Sequence, residues 1–78
     1  MSTYIQLCTM NIKQRFGKKL KRIRLEKGLS QEALALSADI DRTYVPSIEK
    51  GKRNISITIL EKLAKALGVT ISQLLEKI

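Results

Sequence analysis

Apolar residues recur at helical spacing near the start of the chain, at intervals of four, four and three positions. These residues are Ile12, Phe16, Leu20 and Ile23. Asn11 followed by Gln14 has the spacing of a capping box, in which each side chain bonds the other residue's backbone N–H. Gly28 suits the left-handed position after a helix end. The pattern predicts a first helix from about residue 12 to 27. Within it, Gly17 either allows another element to pack closely or simply weakens the helix.

The middle of the chain reads as two short helices joined by a tight turn. Ser30 is placed to cap a helix over residues 31–37, and Asp41 to cap a second one over residues 42–50. Between them, Asp39 tolerates a left-handed backbone better than most residues. The positions that point inward are Leu34, Ala35, Ile40, Val45 and Ile48. This is the pattern of a helix-turn-helix, whose second helix lies in the major groove of DNA.

The outward face of that second helix carries a polar strip formed by Arg42, Thr43 and Ser47. Arg42 lies in the first turn, where its guanidinium can fork onto guanine O6 and N7 and contribute roughly 1–3 kcal/mol of discrimination. The alternative for Arg42 is an ordinary surface charge. Thr43 can offer a methyl group to thymine or a hydroxyl to a base, although a β-branched filler explains it nearly as well.

Pro46 conflicts with the helix predicted over residues 42–50, because a proline disfavours a helix interior. Counted from Asp41 as the cap, Pro46 falls beyond the first turn, so the carbonyl of residue 42 loses its helical partner. An interior proline costs about 3 kcal/mol. Two outcomes stay open: the helix opens locally and re-aims Arg42 and Thr43, or it begins later than residue 42.

Two further helices follow a polar loop. Ser56 is placed to cap the fourth helix and Gly68 to end it, while Thr70 and Gln73 form a second capping box that opens the fifth. The apolar stripes of these helices are Leu60, Leu63, Ala64 and Leu67, then Ile71, Leu74, Leu75 and Ile78. Five short helices with brief connections predict a compact all-α bundle with a central helix-turn-helix.

Residues 1–10 fit neither a helical nor a strand period. They are either a short extra helix that covers the domain or a frayed leader, and Cys8 within them is best explained as a small hydrophobe. Residues 11–78 are expected to form the DNA-binding domain, with the dimerisation helix at its C-terminal end.

Composition and charge narrow the class of protein. The chain has 78 residues, 15 basic against seven acidic side chains, one cysteine and no histidine. All but three of the basic residues lie within residues 1–53, around the helix-turn-helix, as expected for a surface that binds a polyanion. A solvated, merely solubilising surface is the alternative.

The same inventory argues against an enzyme, a disulfide framework or a zinc site. Without histidine and with one cysteine, no nucleophile–base pair or metal-ligand set can be assembled, and no cofactor is expected. The chain lacks an 18-residue apolar run and a basic-then-apolar signal pattern, so a cytoplasmic protein is expected.

The sequence resembles the lambda-repressor-like (XRE-type) helix-turn-helix family. The matching stretches are IRLEKGLSQEALA, the turn and recognition helix, IEKGKRNIS and LEKLAKALGV, which together span roughly residues 16–75. Within them, DRTYVPSIEKGKRNIS resembles the controller proteins of restriction–modification systems. Those are small dimeric regulators with Arg-Thr-Tyr at the start of the recognition helix. Phage repressors share most of the same frame.

The resemblance implies roles for individual residues. Base edges would face Arg42, Thr43 and Ser47. The DNA backbone would meet Gln31, Tyr44, Lys50, Lys52, Arg53 and Asn54. Arg24 and Glu49 match a pair that ties the first helix to the recognition helix in relatives.

Two of these residues, and Glu32 on the second helix, keep alternatives. Tyr44 would either anchor a phosphate through its hydroxyl or pack at the domain edge. Arg53 would either neutralise a phosphate or enter a minor groove and read its shape. Glu32 either touches RNA polymerase, as acidic residues there do in activators with this fold, or simply favours the helix dipole.

The expected function is a sequence-specific transcription regulator. It would bind a palindromic operator as a homodimer, with recognition helices in successive major grooves, and as a controller it would act on its own promoter. Ile71, Leu75 and Ile78 are expected to form the dimer contact, unless all three belong to the monomer core. The alternatives are a phage-type repressor, or an antitoxin-like protein-interaction module that retains the fold without binding DNA.

Overall fold

The computed structural model describes residues 10–78 and contains five helices in that range. They are α1 (Ile12–Glu26), α2 (Gln31–Ala38), α3 (Tyr44–Glu49), α4 (Ile57–Leu67) and α5 (Ile71–Leu75). No strand occurs among these residues, and none of these helices has the length and apolar character needed to cross a bilayer. The all-α prediction is confirmed. The expectations for Cys8 and for residues 1–9 of the leader lie outside the described residues.

One hydrophobic core holds all five helices together. Its fully buried side chains are Leu20, Val45, Ile48, Leu34, Leu63 and Leu74, and each helix contributes at least one. Of the inward positions predicted around the turn, Leu34, Ala35, Val45 and Ile48 are buried, and Ile40 packs against them half-buried. Because the core draws on every helix, the orientation of α3 is fixed by the whole bundle.

The ends of α1, α2, α4 and α5 carry the capping groups that the sequence signals predict. Both predicted capping boxes form, at Asn11 with Gln14 and at Thr70 with Gln73. Ser30 and Ser56 accept the predicted backbone N–H groups at the starts of α2 and α4. Asp39 adopts the left-handed conformation, with φ of 57°, that turns the chain from α2 toward α3.

Gly17 is a close-packing point between α1 and α3. A Cβ atom at this position would lie 2.3 Å from the carbonyl oxygen of Ile48, which is far inside contact distance. The absent side chain therefore allows α1 to press directly on the backbone at the end of α3. This contact sets how far α3 stands from the rest of the bundle.

The predicted start of α3 at residue 42 is wrong, as is the assignment of Asp41 as its cap. The helix begins at Tyr44, and its N-cap is Thr43, whose side chain makes no capping bond. Pro46 is consequently the third helical residue, where a backbone N–H has no partner inside the helix in any case. The later start removes most of the cost of the proline and leaves Arg42 on a turn rather than on a helix.

Candidate nucleic-acid interface

A groove of about 460 Å³ opens between the start of α2 and the outer face of α3. Six of the nine residues predicted to touch DNA line it, and we call it the polar groove. Its lining residues are Gln31, Glu32, Arg42, Thr43, Pro46, Ser47, Lys50 and Lys52. Three of the eight are cationic, so the groove offers the positive, solvent-open surface that a nucleic acid requires.

Arg42 lines the polar groove with 80% of its side chain exposed. Its Nη1 lies 4.0 Å from Oε2 of Glu32, which is 79% exposed. Exposed ion pairs of this kind contribute about 0–1 kcal/mol, because water and salt screen them. Arg42 is therefore free to leave Glu32 for a partner with better geometry.

The carboxylate of Asp41 fixes the turn that carries Arg42. It accepts the backbone N–H of Thr43 at 2.8 Å and the hydroxyl of Thr43 at 2.7 Å. The hydroxyl bond first, then the backbone bond and the charges of Arg42 and Arg53, lower the pKa of Asp41 below its ordinary value. Because the Thr43 proton already points at Asp41, Thr43 can offer DNA its methyl group or an accepting oxygen, but no free proton.

Ser47 lies on the predicted polar strip, but its hydroxyl is occupied within the protein. It donates to the carbonyl oxygens of Thr43 at 3.0 Å and Tyr44 at 2.9 Å. It also accepts a hydrogen bond from Nε of Arg53 at 2.9 Å. Sequence reasoning missed this arrangement because it depends both on where α3 begins and on how the loop after α3 returns to it.

Tyr44 and Arg53 form a stacked pair beside Ser47. The guanidinium carbon of Arg53 lies 4.3 Å from the centre of the Tyr44 ring, within the range of a cation–π contact. Tyr44 is half-buried and packs against the core, as one of its two predicted roles requires. The phosphate contact through its hydroxyl stays a prediction.

The pair Arg24–Glu49 joins α1 to the end of α3 below the polar groove. Nε and Nη2 of Arg24 donate to the two carboxylate oxygens of Glu49 at 2.6 and 3.1 Å, and Nη1 donates to the carbonyl of Leu29 at 2.8 Å. Only 8% of the Arg24 side chain and 4% of the Glu49 side chain are exposed. The predicted tie between the two helices therefore exists as a buried, bidentate ion pair.

Gln31 completes this pair from the first turn of α2. Its Nε2 donates to Oε1 of Glu49 at 3.0 Å, so the carboxylate is shared between α1 and α2. One N–H of the Gln31 amide remains for the phosphate contact that the sequence predicts. The buried pair thus holds α1, α2 and α3 in one arrangement.

Part of the positive charge of α1 is structural. Lys19 Nζ donates to the carbonyl of Glu76 at 2.6 Å, and Arg15 Nη1 donates to the carbonyl of Ile78 at 3.2 Å. These two cations satisfy carbonyls after the end of α5, where a positive charge also favours the helix dipole. The charge count of the chain therefore overstates the charge available for DNA.

An apolar groove of about 200 Å³ lies between α1, α4 and α5. Its lining residues are Ile12, Lys13, Phe16, Arg53, Asn54, Ile55, Leu60 and Leu75. Of the three predicted dimer residues only Leu75 reaches it, while Ile71 and Ile78 are half-buried against the core. Ile57, which the sequence analysis did not single out, is 80% exposed at the start of α4.

Comparison with known proteins identifies relatives of nearly the same length. The helix-turn-helix family matches residues 20–74. Control protein C.MunI from Mycoplasma sp is 55% identical over 69 residues, 87% of this chain and 93% of the relative. Control protein C.BamHI from Bacillus amyloliquefaciens is 49% identical over 69 residues, covering 87% of this chain and 85% of its own.

A solved structure shows the same architecture. The crystal structure of the restriction–modification controller protein C.AhdI from Aeromonas hydrophila superposes with a TM-score of 0.78 at 44% identity, over 80% of this chain and 94% of that chain. The recognition turn, the supporting buried pair and these matches agree with the resemblance stated from the sequence. This chain belongs to the XRE-type helix-turn-helix family and is a DNA-binding transcription regulator.

Proposed function

We propose that this protein is the controller of a restriction–modification system, which binds its own promoter region as a homodimer in the cytoplasm. The control proteins that it resembles match it over most of their length, and this supports a controller role for the whole chain. The observation that carries DNA recognition is the polar groove, with Arg42 exposed in its lining on a turn that Asp41 fixes.

Arg42 and Thr43 are the proposed base-reading residues. Arg42 can fork onto a guanine, while Thr43 supplies a methyl group or an accepting oxygen. Lys50, Lys52 and Asn54 are exposed at and after the end of α3, where they are suited to phosphates. Each phosphate that a lysine neutralises steepens the salt dependence of binding by a slope of about −0.9.

The proposed dimer contact is the apolar groove rather than the full set predicted from sequence. Ile57 is exposed on α4 three positions before Leu60, which lines the groove together with Leu75, so helical spacing puts a knob and a hole on the same side of α4. A two-fold contact needs a surface that complements itself, and a knob beside a hole meets that need. The proposed dimer contact therefore consists of Ile57 and Leu75. Ile71 and Ile78, which were predicted from the sequence, are no longer part of it.

The proposal also includes a contact between Glu32 and RNA polymerase. Glu32 lies in the first turn of α2 and is paired only weakly with Arg42. When Arg42 engages a base, the Glu32 carboxylate is released at the rim of the DNA-bound face. A Glu32→Gln variant that binds the operator normally but changes transcription in a purified system would support this contact, and unchanged transcription would contradict it.

Selection of bound fragments from random DNA tests the function. We expect a two-fold-symmetric site whose half-sites are centred about 34 Å apart, one turn of the duplex. A selected pool without a common sequence would contradict sequence-specific binding. A single unrepeated half-site would contradict the dimer while leaving base reading intact.

Sedimentation of two matched variants tests the dimer face. Ile57→Glu places a charge beside the apolar groove, while Leu36→Glu places one at another exposed apolar position, on α2. We expect the wild type and Leu36→Glu to sediment as dimers at micromolar concentration and Ile57→Glu as a monomer. A monomeric wild type, or equal behaviour of the two variants, would contradict the proposed contact.

A further inference from the structure

The hydroxyl of Ser47 has no free proton and only one lone pair left for a base. A serine hydroxyl has one proton and two lone pairs. The proton is shared between the carbonyls of Thr43 and Tyr44, and one lone pair accepts from Arg53. Donation to a base would require these internal bonds to break, so only the remaining lone pair could read a base directly, while the bond to Arg53 is already formed.

Arg53 is held on two sides by this arrangement. Its Nε donates to the Ser47 hydroxyl at 2.9 Å, and its guanidinium carbon lies over the Tyr44 ring, 4.3 Å from the ring centre. Its two terminal nitrogens make no hydrogen bond to any residue between positions 10 and 78. The guanidinium is therefore oriented while its four outer N–H groups stay available.

A fork oriented in advance suits a phosphate. Arginine binds phosphate through two parallel N–H···O bonds, which a point charge such as lysine does not reproduce. Immobilising a flexible side chain on binding normally costs affinity, and a side chain already fixed avoids much of that cost. Arg53 lies just beyond the end of α3, next to the exposed Lys50 and Lys52, where DNA backbone is expected.

We infer that Ser47 is a positioning residue, which orients Arg53 toward a DNA phosphate and does not read a base. The inference rests on the proposed function, since it concerns the same DNA complex. Ser47 was predicted to contact a base; in this role it instead raises the affinity for every DNA sequence to the same extent. Tyr44 serves the same purpose through its ring.

A double-mutant cycle between Ser47 and Arg53 tests this role. The variants Ser47→Ala, Arg53→Ala and the combination are compared with the wild type by fluorescence anisotropy, on the selected operator and on single-base-pair variants of it. We expect Ser47→Ala to weaken binding about fivefold on all sequences alike, the effect of one lost hydrogen bond. In the Arg53→Ala background the same change should have almost no further effect.

Arg53→Lys provides a second background that keeps the charge but lacks the Nε donor. We expect Ser47→Ala to be nearly silent there also, and Ser47→Thr, which retains a hydroxyl, to bind within about twofold of the wild type. Ser72→Ala, an exposed serine change on α5, is the matched control. Thermal unfolding of each variant separates a binding defect from a folding defect.

Two results would overturn the inference. One is a Ser47→Ala variant that loses preference at a single base-pair position, which is the signature of direct reading. The other is an additive cycle, in which Ser47→Ala costs the same with and without Arg53. Failure of the proposed function is distinguishable from both, because the wild type itself would then bind all sequences equally.

Discussion

Two arginine–glutamate pairs that involve residues of the helix-turn-helix have the same chemistry and opposite uses. Arg24–Glu49 is buried and bidentate, with its shortest N···O distance at 2.6 Å. Arg42–Glu32 is exposed, with a single approach at 4.0 Å. The buried pair cannot open without leaving a charge stranded away from water, whereas the exposed pair can exchange partners at little cost. Burial, rather than residue type, therefore separates the arginine that holds the fold from the arginine available to DNA.

The largest expected effect comes from breaking the buried pair. Glu49→Ala leaves Arg24 charged and buried without its carboxylate, and it also removes the acceptor of Gln31. We expect the free energy of unfolding to fall by about 3–5 kcal/mol, measured by urea denaturation. For so small a domain this is a large part of the total stability.

A paired replacement shows whether the loss comes from the stranded charge. Arg24→Met combined with Glu49→Leu removes both charges and keeps similar volumes, so we expect most of the lost stability to return. Unfolding free energies of Glu49→Ala within about 1 kcal/mol of the wild type would show that the pair does not support the fold.

The exposed pair predicts the opposite outcome, a loss of recognition with no loss of stability. Arg42→Ala should leave the unfolding free energy unchanged within about 0.5 kcal/mol, because 80% of its side chain is exposed and its ion pair with Glu32 is screened by water. It should reduce discrimination between the operator and a scrambled duplex by roughly 1–3 kcal/mol, read from fluorescence anisotropy.

Arg22→Ala is the matched control for Arg42→Ala. Arg22 also forms an exposed ion pair, at 3.7 Å with Glu26 on α1, but it does not line the polar groove. We expect it to retain discrimination. If both variants lose discrimination equally, the loss comes from the reduced total charge of the protein. The proposed contrast between an exposed arginine that reads DNA and a buried arginine that holds the fold would then be wrong.

The sequence predicted the scaffold better than the surface that it presents. Capping boxes such as Asn11 with Gln14 depend on residues three positions apart, and the apolar stripes depend on helical spacing, so local pattern suffices for both. The start of α3 was drawn two residues early because Asp41 is a favoured N-cap residue, whereas the helix begins after Thr43, whose side chain makes no capping bond. The later start is one of the two outcomes that Pro46 had left open. The engagement of Ser47 with Arg53 could not be predicted, since it depends on how the loop after α3 returns over Tyr44.

The smallest expected effect concerns the pH dependence of the turn that carries Arg42. The hydrogen bonds from Thr43 lower the folded-state pKa of Asp41 below 3.8, so the carboxylate stabilises the turn in full above pH about 3.8. As the pH falls through the lower, folded-state pKa, protonation removes that contribution. In an NMR titration we expect the Thr43 amide resonance to shift only below pH about 3.8 and to stay unperturbed across that range in Asp41→Asn.

Asp39 is an exposed aspartate on the neighbouring turn, and Asp39→Asn serves as the control that should leave the Thr43 titration in place. A Thr43 amide that titrates alike in all three proteins would mean that Asp41 does not hold the turn, and that Arg42 stands on a segment less fixed than the buried pair beneath it.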